Sequence, residues 1–169
     1  MQDLWLLKMS TAIPRKMLCL AAHSPAWHSL DGEVTYVYSP DRVDPSTNAV
    51  DQEEFWRRLS CLQVLDGASV GKVAPYHYVV ETDVLPEVEE ELNAWYSQEH
   101  LPGLASVAGT VSARRYIDRE GSPRYYACYD LESPDALASA AWLAVRGTSW
   151  SARVRPAFRN TRRTMFRRA

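Results

Sequence analysis

The pattern of apolar and polar positions is clearest beyond Pro75. Tyr76 to Glu81 alternates as a strand should, with His77, Val79 and Glu81 on one face and Tyr76, Tyr78 and Val80 on the other. The period then lengthens. Leu85, Val88, Leu92, Trp95 and Tyr96 fall at helical spacing, Glu87, Glu89, Glu90 and Glu91 face water, and Pro86 suits a first helical turn. Pro102-Gly103 is expected to end this helix. Thr110 to Asp118 and Arg124 to Leu131 read as strands about a Glu120-Gly121-Ser122-Pro123 turn. Ser133-Pro134-Asp135 signals a helix start, and Leu137, Ala140, Ala141 and Ala144 form a small-residue stripe that stops by Gly147. Ala157 to Phe166 is a last strand. The order over 76–166 is β-α-β-β-α-β, an α+β arrangement of ferredoxin-like type, with four antiparallel strands and both helices on one face. Its other face is apolar, so a second copy of the chain or the N-terminal half must cover it.

The first 74 residues are less regular. Leu4-Trp5-Leu6-Leu7 sits in a short apolar run, a strand buried on both faces. Ser10-Thr11 with Pro14 predicts a short helix over 13–22. His23 to Gly32 reads as loop, Glu33 to Tyr38 as a strand, and Ser39 to Asn48 as exposed loop. Asp51-Gln52-Glu53-Glu54 has the form of a capping box, and Phe55, Leu59, Leu62 and Leu65 then predict a helix that stops near Gly67. The stretch from Trp56 to Val73 echoes Trp95 to Val111 through Ala68-Ser69-Val70 and Ala105-Ser106-Val107. The chain is therefore divided into a divergent α+β segment, 1–74, treated as a degenerate ferredoxin-like repeat, and a module, 75–169.

A length of 169 residues suits one ordinary domain or two small ones sharing a core, and 46% hydrophobic residues suffice to build it. The net charge of -2 gives no global attraction to nucleic acid or an anionic membrane. Cys19, Cys61 and Cys128 are odd in number and far apart, which predicts no disulfide framework and a cytoplasmic setting. No apolar run is long enough for a membrane span, and Met17 to Ala22 is too short for a signal core. His23, His28 and Cys19 match no zinc spacing, so no metal is expected. No phosphate-binding glycine loop, nucleophile elbow or dinucleotide fingerprint is present, which disfavours nucleotide chemistry and serine hydrolysis.

Several stretches carry a family resemblance: Trp95, Glu99-His100-Leu101-Pro102-Gly103, Val107-Ala108-Gly109, Arg114-Arg115-Tyr116, Arg124 to Asp130, Thr148 to Ser151 and Arg159-Asn160. Through them residues 76–168 resemble the dimeric α+β barrel superfamily and, within it, the EthD-like group. The resemblance implies two sheets packed face to face into a barrel, with small, often aromatic or polyketide-like molecules bound between sheet and helices. Related members include cofactor-free isomerases, polyketide cyclases, quinol monooxygenases and haem-handling enzymes, so the fold alone cannot choose a reaction.

His100 is the expected catalytic residue. At a helix C-terminus its protonated form is favoured, and it could move a proton on an enolisable or phenolic substrate; capping the helix is the alternative role. His77, Tyr116, Tyr126 and Trp95 are the expected substrate-binding residues, although the alternation on Tyr125 to Leu131 leaves open which face is the pocket. His77 could equally be a satisfied sheet histidine. After Asp135 no acid occurs, while Arg146, Arg153, Arg155, Arg159, Arg162, Arg163, Arg167 and Arg168 follow. This segment reads as a solvated face paired with Glu87 to Glu91, with an anionic substrate or nucleic acid as the alternatives.

The function these residues support is small-molecule metabolism: an isomerase, cyclase or lyase, or an oxygenase step, moving a proton on an aromatic or lactone-like substrate without a tightly held cofactor. The expected assembly is a homodimer with no nucleic-acid or membrane partner. The alternatives are a non-catalytic ligand-binding or accessory protein, and haem binding through His77 or His100.

Overall fold

The structure is a computed structural model that describes residues 3–10, 25–40 and 56–169. The helix expected over 13–22, most of the loop to Asn48, the capping box, Cys19 and His23 lie outside the described residues. Eight antiparallel strands close into one barrel: β1 (Leu4–Met9), β2 (Ala26–Ser29), β3 (Thr35–Ser39), β4 (Trp56–Asp66), β5 (Tyr76–Val84), β6 (Thr110–Asp118), β7 (Tyr125–Leu131) and β8 (Phe158–Arg168). Around the barrel the order is β1-β3-β2-β8-β5-β7-β6-β4. The first four strands are therefore ordered β2-β3-β1-β4 and the last four β6-β7-β5-β8, the same arrangement twice. The two sets join where β4 pairs with β6 and β2 with β8. The apolar face that called for a cover is covered within the chain.

Two expectations for the first half give way. Residues 56–66 form β4, not a helix. A bulge between Cys61 and Gln63 shifts the register against β6, which flips the faces. Trp56 and Leu65 thus pack outside the barrel and Leu59 inside it, so one strand carries a three-residue apolar spacing that imitates a helix. The stretch expected as loop, 23–32, contains β2, which is only four residues long. The apparent echo of Trp56 to Val73 in Trp95 to Val111 has no structural counterpart, because Trp56 lies on a strand and Trp95 on a helix.

In the second half, a single turn of 3₁₀ helix at Pro86–Val88 leads into α1 (Glu89–Trp95). A π-helical turn (Tyr96–His100) then passes directly into α2 (Leu101–Ala105). Pro102-Gly103 does not end the helix. Pro102 follows the π-helical turn, near the start of α2. Gly103 lets α2 approach α3 (Ala140–Arg146), since a Cβ there would lie 2.8 Å from Val145 Cγ1. The chain turns instead at Gly109, whose φ of 91° suits glycine. Thr148 caps α4 (Ser149–Val154) through its hydroxyl, and Ser139 caps α3.

Two apolar layers result. Between β5–β7 and the helices lie Leu92, Trp95, Tyr96, Leu104, Tyr125, Tyr129, Trp142 and Val154. The anchor of α3 is Trp142, not the alanines. Inside the barrel lie Leu6, Trp27, Tyr36, Leu59, Val79, Tyr116, Tyr126, Cys128 and Phe166.

Candidate functional site

The inward positions of β5, β6 and β7 assemble a polar group at one end of the barrel. Pairing places His77 directly opposite Asp130, and Asp130 opposite Ser112. Asp130 Oδ1 lies 2.7 Å from His77 Nδ1, while Oδ2 accepts from Ser112 Oγ at 2.8 Å and from Arg114. On the far side of the ring, Tyr38 of β3 bonds His77 Nε2 at 2.9 Å. Trp27 of β2 stacks on the imidazole, with centroids 4.8 Å apart. Residues distant in sequence thus meet because β2 and β3 close the barrel over β5.

The electrostatics fix the tautomer. Burial alone would raise the Asp130 carboxyl, but the His77 hydrogen bond and charge, Arg114 and Ser112 outweigh it and hold it at about 2. Asp130 is therefore an acceptor only, and Nδ1 carries the proton. In the neutral ring Nε2 is then an acceptor, and Tyr38 donates to it. Burial pushes the Tyr38 phenol well above its ordinary value and raises Tyr116 and the Cys128 thiol to about 12 each. Both phenols and the thiol stay protonated near neutrality.

A cavity of about 340 Å³ opens against this group. Leu4, Pro25, Trp27, Tyr38, His77, Arg114, Tyr116, Cys128 and Asp130 line it, with Lys72, Val73, Ala74 and Arg168 around them. The volume suits a small aromatic molecule. A second polar cluster lies further along the interior. Glu81 accepts from Lys8 Nζ at 2.8 Å and from the Tyr36 hydroxyl, and Lys8 sits 4.7 Å from the Tyr126 ring centroid. Burial lowers the Lys8 pKa, opposed by Glu81.

The expected site residues separate. His77 and Tyr116 line the barrel cavity, and Tyr126 faces the same interior beside Lys8 and Glu81. His100 and Trp95 lie outside the barrel, in the helix–sheet layer, stacked on each other at 4.1 Å. His100 does not sit at a helix end, because the helix continues into α2. Burial, then Arg155 and Arg146, lowers its pKa to about 3, the opposite of the expected favouring of the protonated form. In that layer, where the resemblance placed the ligand, the chain's own aromatic rings leave a cavity of only about 30 Å³. Haem does not fit these residues. Both nitrogens of His77 are engaged, and the space beside His100 is far too small for a porphyrin.

Tyr38, Asp130, Arg114 and Trp27 were missed as site residues. The alternation already placed Asp130 with Tyr126 and Cys128 on one face. Only the register of β5 on β7 sets it against His77, and nothing local encodes that register.

No protein-family model matches the chain, and no curated protein sequence does. Solved structures do. An uncharacterised ferredoxin-fold protein from Listeria monocytogenes, related to antibiotic biosynthesis monooxygenases, superposes with a TM-score of 0.61 at 11% identity, covering 100% of this chain and 96% of that one. A heme-degrading enzyme from Listeria monocytogenes gives 0.60 at 8% identity, covering 98% and 99%. An anthrone oxidase-like protein gives 0.57 at 14% identity, covering 99% and 91%. Identities this low establish the fold alone: the chain is an α+β barrel of the ferredoxin-like kind.

Proposed function

We propose that the protein is a small-molecule enzyme whose barrel cavity takes a proton from an enolisable or phenolic aromatic substrate. The supporting observation is the Tyr38–His77–Asp130 chain at the cavity wall. Tyr38 touches the substrate. As its oxygen accepts the substrate proton, its own proton passes to His77 Nε2, and Asp130 stabilises the imidazolium that forms. No buried phenolate has to persist, which suits a phenol whose pKa is raised. Tyr116 and Arg114 face the same space and would hold the oxygen on which substrate charge develops. The anthrone oxidase-like neighbour supports an aromatic ketone of that type.

The test is exchange of the benzylic hydrogens of anthrone with deuterium from solvent, followed by proton NMR. Wild type accelerates exchange, and Tyr38→Phe and His77→Ala return it to the uncatalysed rate. Exchange equal to wild type in both variants overturns the assignment.

A second reading, a non-catalytic binding or accessory protein, is favoured by the aromatic filling of the helix–sheet layer. It predicts that anthrone binds without faster exchange. We propose too that 1–74 and 75–169 are two copies of one module, supported by the repeated strand order. On that reading the two halves stand where two chains would otherwise meet. A homodimer would then use a different surface, and light scattering reads that state directly.

A further inference from the structure

The helix–sheet layer holds a constellation that the barrel chemistry leaves unused. Its small cavity is lined by Trp95, His100, Tyr129, Arg146, Arg155 and Arg163 among others, and no acidic side chain lines it. Arg146 ends α3, Arg155 follows α4, and Arg163 lies within β8. Neighbouring arginines are paired: Arg124 with Glu89 at 3.5 Å and Arg153 with Glu91 at 3.3 Å. Among the described residues no carboxylate pairs with Arg146, Arg155 or Arg163. Their charges act on the same groups. Arg155 has its pKa lowered by burial and then by Arg146 and Arg163, and His100 feels both Arg155 and Arg146.

In the lining of the same cavity, Trp95 Nε1, His100 Nδ1 and the Tyr129 hydroxyl have no hydrogen-bond partner. Trp95 and Tyr129 are each 1% exposed and His100 8%. Leaving a buried polar group unmet is costly, so three beside one cavity require an explanation. Indole N–H is a donor only, phenol O–H and neutral imidazole can both donate, and guanidinium is all donor. The group that meets them must accept hydrogen bonds, and the three unpaired guanidiniums favour one that carries negative charge. The cavity of about 30 Å³ admits an oxygen-sized group and excludes a ring, so the rest of such an anion lies among the half-buried Arg146 and Arg155 and the exposed Arg163.

We propose that this pocket binds one phosphoryl group, with an oxygen in the cavity lined by Trp95, His100 and Tyr129 and the remainder held by Arg146, Arg155 and Arg163. Three guanidiniums match the charge and the several oxygens of a phosphate better than those of a carboxylate. The site is separate from the barrel cavity and does not depend on the reaction assigned there.

The test uses the ¹⁵N-labelled full chain. The Trp95 indole resonance is assigned by its loss in Trp95→Phe. Inorganic phosphate at pH 7.5 should shift that resonance saturably and raise the melting temperature, while sodium chloride at equal ionic strength does neither. Arg155→Gln combined with Arg163→Gln should weaken the response about tenfold or more, with the other indole resonances unmoved. Phenyl phosphate separates the sources: tighter binding than phosphate assigns a monoester whose organic part lies outside, and weaker binding assigns the free ion. No saturable shift at millimolar phosphate, an equal shift with chloride, or a full response in the double variant overturns the proposal.

Discussion

Replacing Asp130 by asparagine removes the charge that organises the barrel site while keeping its shape. Asp130 accepts from His77 Nδ1, Ser112 and Arg114, and only 14% of its side chain is exposed. Its carboxyl moves from an ordinary 3.8 to about 2 on folding, which corresponds to about 2 kcal/mol of stability at pH 7. The sign follows from the depressed value. The contribution is complete above the unfolded pKa and is lost as pH falls through the folded one. About 1 kcal/mol of it is already gone at pH 3. Losing one partner of a buried pair can cost 3–5 kcal/mol, but the Arg114 side chain is 33% exposed and water takes up part of its charge. Asp130→Asn should therefore unfold about 2–3 kcal/mol more easily than wild type in urea at pH 7, and the gap should narrow to about half at pH 3. A gap below about 0.5 kcal/mol at pH 7, or one that stays constant between pH 6 and pH 3, would refute the electrostatic account of this site.

Other outcomes follow from individual contacts. His77→Ala should slow the exchange reaction by about 10²–10⁴-fold, the usual worth of a placed proton-transfer group, and steady-state rates check it. Trp142→Ala empties a site between Tyr78 and Tyr129 and should cost about 3–5 kcal/mol by chemical denaturation. Gly67→Ala would set a Cβ 2.0 Å from the Thr110 carbonyl oxygen, so the backbone must move; a loss of about 3 kcal/mol is expected, and a neutral result would mean the strand ends are not packed this way. His100 is buried neutral with its pKa depressed to about 3, so the folded state resists a proton that the unfolded chain takes up below pH 6.5. Wild type should lose about 1.4 kcal/mol per pH unit from this group between pH 6 and pH 4, and His100→Gln should flatten that slope.

The second half of the fold was legible where its elements keep one period over most of their length. Tyr76 to Glu81 alternates without interruption, and the inward face it predicted, His77, Val79 and Glu81, is the face that lines the barrel. β4 was not legible, because the Cys61/Gln63 bulge breaks the alternation and puts Leu59 and Leu65 on opposite faces. β2, with Ala26, Trp27, His28 and Ser29, is too short to show any period. The surroundings of the two histidines were not legible for a different reason. A local signal, the Pro102-Gly103 break, suggested a helix end beside His100, whereas Gly103 serves the close approach of Val145. The case for His77 depends on Asp130, 53 residues away, and on Tyr38, 39 residues away in the other half.

That dependence runs between the two halves of the chain. The strand order repeats, but the interior does not. The second half supplies His77, Asp130 and Arg114, while the first supplies Tyr38, Trp27, Lys8 and Tyr36. An assembly of two identical halves would need each to carry both sets at equivalent positions. The register shows otherwise: β1 pairs with β3 as β5 pairs with β7, yet the inward cross-strand pairs of β1 and β3 are Leu6 with Tyr38 and Lys8 with Tyr36, neither of them a histidine–carboxylate pair like His77 with Asp130. One half thus carries the acid–imidazole pair, and the other closes the barrel over it with an aromatic wall and a phenol.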